Sequence, residues 1–279
     1  MRMVWCLLAF GLLELSSNQL HAGAAPGAGN LQVVGEARNK LIPIALEGFV
    51  GEVAGVLKFD LEVMGCKVVP LADAAFVVRG KADGSVVGAL TDKAGNPGFN
   101  RRYSGGNLRD QAHALSNDVI QALTGVPGIA STRVLFKMKT GPRAEEVFLS
   151  DYDGHKPVAL TNDKTLVSAP RWSPDHSKVF YTTWLKRGGI ENTTVIQQNM
   201  KTGEREVMAR YRGLNTGGAL SPQGFLAMIL SRGGSPDVYV APPGWKFMED
   251  LKGQNLRRMC VTREEENGVT WSPDGQWLC

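Results

Sequence analysis

One short word recurs three times in the second half of this chain: Trp172-Ser173-Pro174-Asp175, Leu220-Ser221-Pro222-Gln223 and Trp271-Ser272-Pro273-Asp274-Gly275. The serines fall at 173, 221 and 272, so the period is 48 and then 51 residues. Each word leads into an apolar run: Val179 to Thr183, Phe225 to Leu230, and Trp277 to Cys279. A repeat of about 50 residues carrying several short strands is the sequence mark of a propeller blade. The word suits a corner between two strands. Its proline fixes φ, its Ser and Asp side chains hydrogen-bond to nearby amides, and the glycine that follows takes a positive φ. The aromatic residue ahead of the serine ends one strand and packs between blades. One Ser-Pro-Asp is an ordinary turn; three in step, each followed by a strand, make a repeat.

The rest of the segment after Pro127 agrees with this. Short apolar runs at Arg133–Met138, Glu146–Ser150, Val158–Leu160, Thr194–Asn199, Glu206–Ala209, Val238–Val240 and Arg258–Val261 alternate with turns such as Lys139-Thr140-Gly141-Pro142 and Lys201-Thr202-Gly203. That is the pattern of antiparallel meanders. The earlier segment reads differently. Val53, Val56, Leu57, Leu61 and Met64 recur at helical spacing, with Gly65 as the stop. Asp83-Gly84 marks a hairpin between Phe76–Lys81 and Ser85–Thr91. Leu108, Ala112, Leu115, Val119 and Leu123 form one stripe of a helix capped by Asn107 and ended by Gly125 and Pro127. The expected fold is an α/β N-terminal domain over 25–127, followed by an all-β, incomplete β-propeller of about two and a half blades over 128–279.

Residues 1–24 read as a secretory signal: Arg2, the apolar run Met3 to Leu13, and the small residues Ala22-Gly23-Ala24. The run is too short to cross a bilayer, and a secreted mature chain is expected. The chain stops as its third repeat begins, and a fragment or an interrupted reading frame is expected from that. Cys6 leaves with the signal; Cys66, Cys260 and Cys279 contain no Cys-x-x-Cys pair, and buried free thiols are expected rather than zinc or thioredoxin-like chemistry. The net charge of +4 comes without a basic run interleaved with aromatics, so no nucleic-acid footprint is present.

Catalytic signatures are also missing. The sequence has no Gly-x-Ser-x-Gly elbow, no His-Glu-x-x-His and no phosphate loop. His21, His113, His155 and His176 share no metal-like spacing; His113 sits beside the helical stripe, where a solvated or partly packed ring is expected. Asp151, Asp153 and Gly154 begin like a calcium loop, but the downstream glutamate is absent and a tip between strands is the plainer reading. Asn192-Thr193-Thr194 fits a glycosylation acceptor, an accident in a bacterial chain. No catalytic, cofactor or metal residues are assigned.

The junction Val119-Ile120-Gln121-Ala122-Leu123-Thr124-Gly125-Val126-Pro127-Gly128, the strand Ser131 to Phe136, the tract Leu149 to Gly154 and the word at Ala169 to Asp175 together resemble the TolB family of the Tol–Pal envelope system. The resemblance implies a non-enzymatic periplasmic scaffold without a cofactor. It implies two partners: a peptidoglycan-associated lipoprotein on the propeller, and a TolA-like inner-membrane protein at the mature N-terminal segment. Physically, Leu31, Gln32, Val33 and Val34 have the strand character to add to a sheet edge, or to complete their own sheet. The chain departs from the family in its blade number, in Gln223 at an Asp position, and in the span Pro70 to Ala74, which is too short for an extra helix. The alternative is a propeller accessory domain of a peptidase or other propeller-containing enzyme, or a propeller that acts on a small molecule in its central channel.

Overall fold

The computed structural model describes residues 8–9, 41–187, 190–259 and 265–279. Leu31, Gln32, Val33, Val34, Cys260 and, apart from Leu8–Ala9, the stretch read as a signal lie outside the described residues. Two compact units divide the chain. The described part of one is 41–134 with 150–156; that of the other is 8–9, 135–149, 157–187, 190–259 and 265–279. Strand β1 (Leu8–Ala9) is paired antiparallel with the last strand, β18 (Trp277–Leu278).

The α/β unit runs β2 (Ile42–Glu47), α1 (Gly51–Val63), β3 (Cys66–Val68), β4 (Phe76–Asp83), β5 (Ser85–Asp92), β6 (Pro97–Tyr103) and α2 (Leu108–Thr124). Its five strands lie in the order β3-β2-β4-β5-β6. β2 is parallel to β3 and β4, as the α1 crossover requires, and β4, β5 and β6 form an antiparallel meander. The β4–β5 hairpin closes at Gly84, whose φ is +64°. Both ends of α2 are set locally. Asn107 accepts from the Asp110 amide at 2.9 Å, Asp110 accepts from the Asn107 amide at 3.1 Å, and Gly125 ends the helix at φ +75°. Ile44, Val78 and Val86 of the sheet bury against Val56, Leu57 and Leu61 of α1 and Ala112, Leu115 and Val119 of α2. The span from Pro70 to Ala74 holds one 3₁₀ turn, Leu71–Asp73.

The other unit is all β apart from a 3₁₀ turn at Phe247–Glu249. A three-stranded sheet contains β7 (Arg133–Gly141), β8 (Ala144–Asp151) and β9 (Val158–Ala159). A four-stranded sheet follows: β10 (Val167–Trp172), β11 (Lys178–Arg187), β12 (Ile190–Asn199) and β13 (Arg205–Ala209). A second has β14 (Asn215–Leu220), β15 (Leu226–Leu230), β16 (Asp237–Ala241) and β17 (Arg257–Arg258). Each is an antiparallel meander in chain order, and the described sheets stay open rather than closing a ring. Val147 packs with Val167, Val179 and Tyr181; Phe180 and Val195 pack with Met228 and Leu230; Ala227 and Ile229 pack with Val269 and Leu278. Apolar layers between successive sheets are the architecture of stacked blades.

Strands β10 and β14 were not among the apolar runs expected from the sequence. Their compositions, Val-Ser-Ala-Pro-Arg-Trp and Asn-Thr-Gly-Gly-Ala-Leu, contain no continuous run of large apolar residues. Both are also bulged, with register shifts between Ser168 and Arg171 and between Thr216 and Ala219. A positive φ recurs at the same place in all three modules: Ala169 (φ +50°), Gly217 (φ +74°) and Gly268 (φ +73°) each stand four residues before a word serine. The repeat therefore has a second fixed point that composition hides.

Candidate functional site

The three words fold into one kind of corner. The Ser173 amide donates to the Lys178 carbonyl at 2.9 Å, Ser221 to Phe225 at 2.8 Å, and Ser272 to Trp277 at 2.8 Å. In return each serine hydroxyl accepts the amide of the same partner, at 2.9, 3.1 and 2.9 Å. Ser173 also donates to Asp175 at 2.6 Å, and the Ser177 amide donates to the same carboxylate at 3.1 Å. These bonds hold the Asp175 pKa down to about 2. The Ser272–Asp274 corner repeats the arrangement and lowers the Asp274 pKa. Gly224 (φ +90°) and Gly275 (φ +69°) turn the corners as expected; in the first word His176 takes that position at φ +57°, its ring edge-on to Trp172.

The corners converge on a cleft of about 250 Å³. Each module supplies matching positions: Arg171, Ala219 and Thr270 two residues before the serine, Trp172, Leu220 and Trp271 one before, and Pro174, Pro222 and Pro273 one after. In the first two modules these positions follow a bulge, and the Trp271 indole donates to the Ala219 carbonyl at 3.0 Å, tying adjacent modules. Walls of Trp, Leu and Pro are repeated; the position two before the serine varies. There Arg171 is half-buried and has no hydrogen-bond or ion-pair partner among the described residues. Burial lowers its pKa, yet a guanidinium keeps its charge at any physiological pH. A half-desolvated cation lining the same cleft as two tryptophans is suited to a carboxylate-bearing segment of another chain. Sequence reasoning missed Arg171 because it belongs to a strand that carries no apolar run.

The α/β unit holds a second polar constellation, also missed. His113 is buried, not solvated or partly packed beside the stripe as expected. Its Nδ1 lies 2.9 Å from Asp60 Oδ2, and Tyr152 donates its hydroxyl to Asp60 Oδ1 at 2.6 Å. Arg109 donates to Asp153 and, at 3.1 Å, to Glu52. Asp151 to Gly154 do form a tip between β8 and β9, and the segment Ser150–Lys156 belongs to this unit. The Asp153 carboxylate is taken by Arg109 and by the His155 amide at 3.0 Å. Among the described residues no group of three His, Cys, Asp or Glu side chains is placed to hold a metal. Cys66 is a buried free thiol whose pKa burial raises to about 11, and Cys279 is free and exposed.

The TolB β-propeller domain, as a family model, matches residues 120–279, more than half of the chain. The chain belongs to the TolB family. Two proteins named Tol-Pal system protein TolB, from Alcanivorax borkumensis and from Marinomonas sp., are each 35% identical to it, over 130 and 112 residues. These stretches cover 46% and 39% of this chain but only 29% and 25% of the relatives, so the match spans less than a third of their length. The crystal structure of TolB from Acinetobacter baumannii shares the fold with a TM-score of 0.69 at 23% identity, over 84% of this chain and 64% of that one. The family match covers the open set of propeller sheets. Among the described residues no helix is long and apolar enough to cross a membrane.

Proposed function

We propose that this TolB-family chain is a non-enzymatic, periplasmic protein-binding scaffold of a Tol–Pal-like envelope system. The observation that carries the reading is the family match over 120–279 combined with the cleft that its three words line. In this reading a peptidoglycan-associated lipoprotein docks on the stacked sheets and places a carboxylate on Arg171, with Trp172 and Trp271 packing its flanks. A buried pairing of that kind ranks among the strong contributors to an interface. The segment Leu31 to Val34 adds as a strand to a TolA-like protein of the inner membrane. The signal read in residues 1–24 delivers the chain to the periplasm.

The test is calorimetric titration of the full chain with the soluble domain of the lipoprotein from the same cell. Saturable binding is expected, weakened at least tenfold by Arg171→Glu and unaffected by Lys246→Glu, a change at an exposed side chain outside this cleft. Absence of binding, or equal affinity of Arg171→Glu and the parent chain, removes the docking surface. Pull-down from envelope extract that recovers no peptidoglycan-associated lipoprotein removes the wider reading.

A further inference from the structure

We propose that His113 is a proton-controlled fastener: as an imidazolium bridging Asp60 and Asp153 it holds the segment Ser150–Lys156 against α1 and α2, and loss of its proton releases that segment. The geometry of the ring argues for it. Asp60 is completely buried and its carboxylate can only accept, so Nδ1 carries a proton whether the ring is charged or neutral. The question falls on Nε2. That atom is buried, makes no hydrogen bond, and lies 3.7 Å from Asp153 Oδ2. In the neutral ring it turns a lone pair toward a carboxylate, two electron-rich groups facing each other out of water. In the charged ring it turns an N–H toward the same oxygen.

The charges around the ring favour the second state. α1 presents Asp60, with Glu52 further out and mostly exposed; α2 itself presents Arg109; the 150–156 segment presents Asp153 and the neutral phenol of Tyr152. β5 and β6, which also pack on α2, place no charged group against the ring among the described residues; Arg101 and Tyr103 of β6 pair instead with Asp118, elsewhere on α2. Asp60, Asp153 and Arg109 sum to one negative charge, which the imidazolium neutralises. Burial pulls the His113 pKa down, but the bond to Asp60 and the charges of Asp60 and Asp153 outweigh it, against Arg109, and the net direction is up. Burial likewise pushes Asp153 up, and the His155 amide and Arg109 overcome it, so Asp153 stays ionised as the ring titrates. The sign follows. A histidine with a folded pKa above its unfolded value of about 6.5 holds its full contribution below that pH and loses it as pH rises through the folded pKa.

The segment has two anchors on this knot, Tyr152 through Asp60 and Asp153 through Arg109 and His113. Losing the proton unbalances both, because Asp60 and Asp153 are then left with Arg109 alone as a counter-charge. The experiment is a side-chain NMR titration of His113 in the full chain, run alongside hydrogen exchange of the 150–156 amides corrected for intrinsic rate. The expected result is a His113 pKa above 6.5, with protection of those amides falling at least tenfold across the same pH interval. His113→Gln should give low, pH-independent protection there, and Asp153→Asn should move the His113 pKa downward. A His113 pKa at or below 6.5, flat protection in the parent chain, or a pH dependence that survives His113→Gln each overturns the proposal. If His113→Gln does not fold, the parent titration and Asp153→Asn still decide it.

Discussion

The two units each pin a chain segment with buried polar side chains, and they do it with opposite chemistry. In the α/β unit the 150–156 segment is held by ions: Asp60, His113, Arg109 and Asp153. In the stacked sheets the connection between β13 and β14 is held by neutral groups, with the Asn215 amide at their centre. Asn215 is completely buried; its Oδ1 accepts from the Tyr211 amide at 2.7 Å, and its Nδ2 donates to the carbonyls of Tyr211 at 2.8 Å and Thr193 at 3.0 Å. An amide keeps the same donors and acceptors at every pH a protein survives. Buried ions must repay their desolvation even when complete, and the interior is strongly destabilised when one member leaves or changes charge. One unit thus has a conditional fastening and the other an unconditional one.

The largest expected effect is on the ionic side. Asp60→Ala leaves His113 and Tyr152 buried without their shared acceptor and should cost about 3 kcal/mol or more. The two units can be read separately. Among the described residues, the α-helices α1 and α2 lie in the α/β unit, while Trp172, Trp184, Trp245, Trp271 and Trp277 all lie in the other. Urea unfolding followed by helical circular dichroism should therefore register Asp60→Ala strongly, and tryptophan fluorescence should register it weakly. Equal shifts in both signals would break the comparison. Asn215→Ala should do the reverse. It removes the acceptor of the Tyr211 amide and a donor to the Thr193 carbonyl in the interior for about 2 kcal/mol, seen in fluorescence, and its cost should not change between pH 6 and pH 9.

These differences also mark what a sequence can disclose. The caps of α2 were legible because Asn107, Asp110 and Gly125 act within a few residues of the helix ends. The word corners were legible because serine meets its partner amide four or five residues on. His113 was misjudged because Asp60 is 53 residues away in sequence and Asp153 belongs to another region of the chain, so no local pattern reports their meeting. Asp151, Asp153 and Gly154 imitate an ion-binding loop for the same reason: spacing displays the carboxylate and hides the arginine that occupies it. Arg171 escaped through its strand. β10 has neither alternation nor an apolar run, because its bulge breaks the period of two.

The bulge gives a prediction of middle size. Ala169 and Gly217 hold the same place, four residues before a word serine, and both have positive φ. At Gly217 an added Cβ would meet side chains only at ordinary contact, the nearest being Val269 at 3.5 Å, so the backbone alone sets the cost. Gly217→Ala should destabilise by about 1 kcal/mol, and Ala169→Gly should stabilise by up to about 1 kcal/mol, both in the fluorescence transition. Opposite signs at equivalent positions would establish that the bulge is one repeated device. Equal signs would separate the two sheets.

The smallest effect concerns the one word without its aspartate. Asp175 owes its pKa of about 2 to Ser173 and Ser177. Its folded pKa lies below an unfolded value near 3.9, so its contribution is present above that value and is lost as pH falls toward 2. The second corner is one residue shorter: the Phe225 amide, which already donates to Ser221, stands where the longer corners offer a free amide to the aspartate. Gln223 instead reaches across to the next word and donates to the Asp274 carbonyl at 2.7 Å. Gln223→Asp therefore exchanges an exposed bond between modules for a carboxylate with little to accept, and stability should change by no more than about 0.5 kcal/mol. The sharper readout is NMR titration of that carboxylate. It should titrate near the ordinary value of about 3.9, well above Asp175. A value near that of Asp175 would mean that the serine alone organises the corner, and that corner length has no bearing on which residue follows the proline.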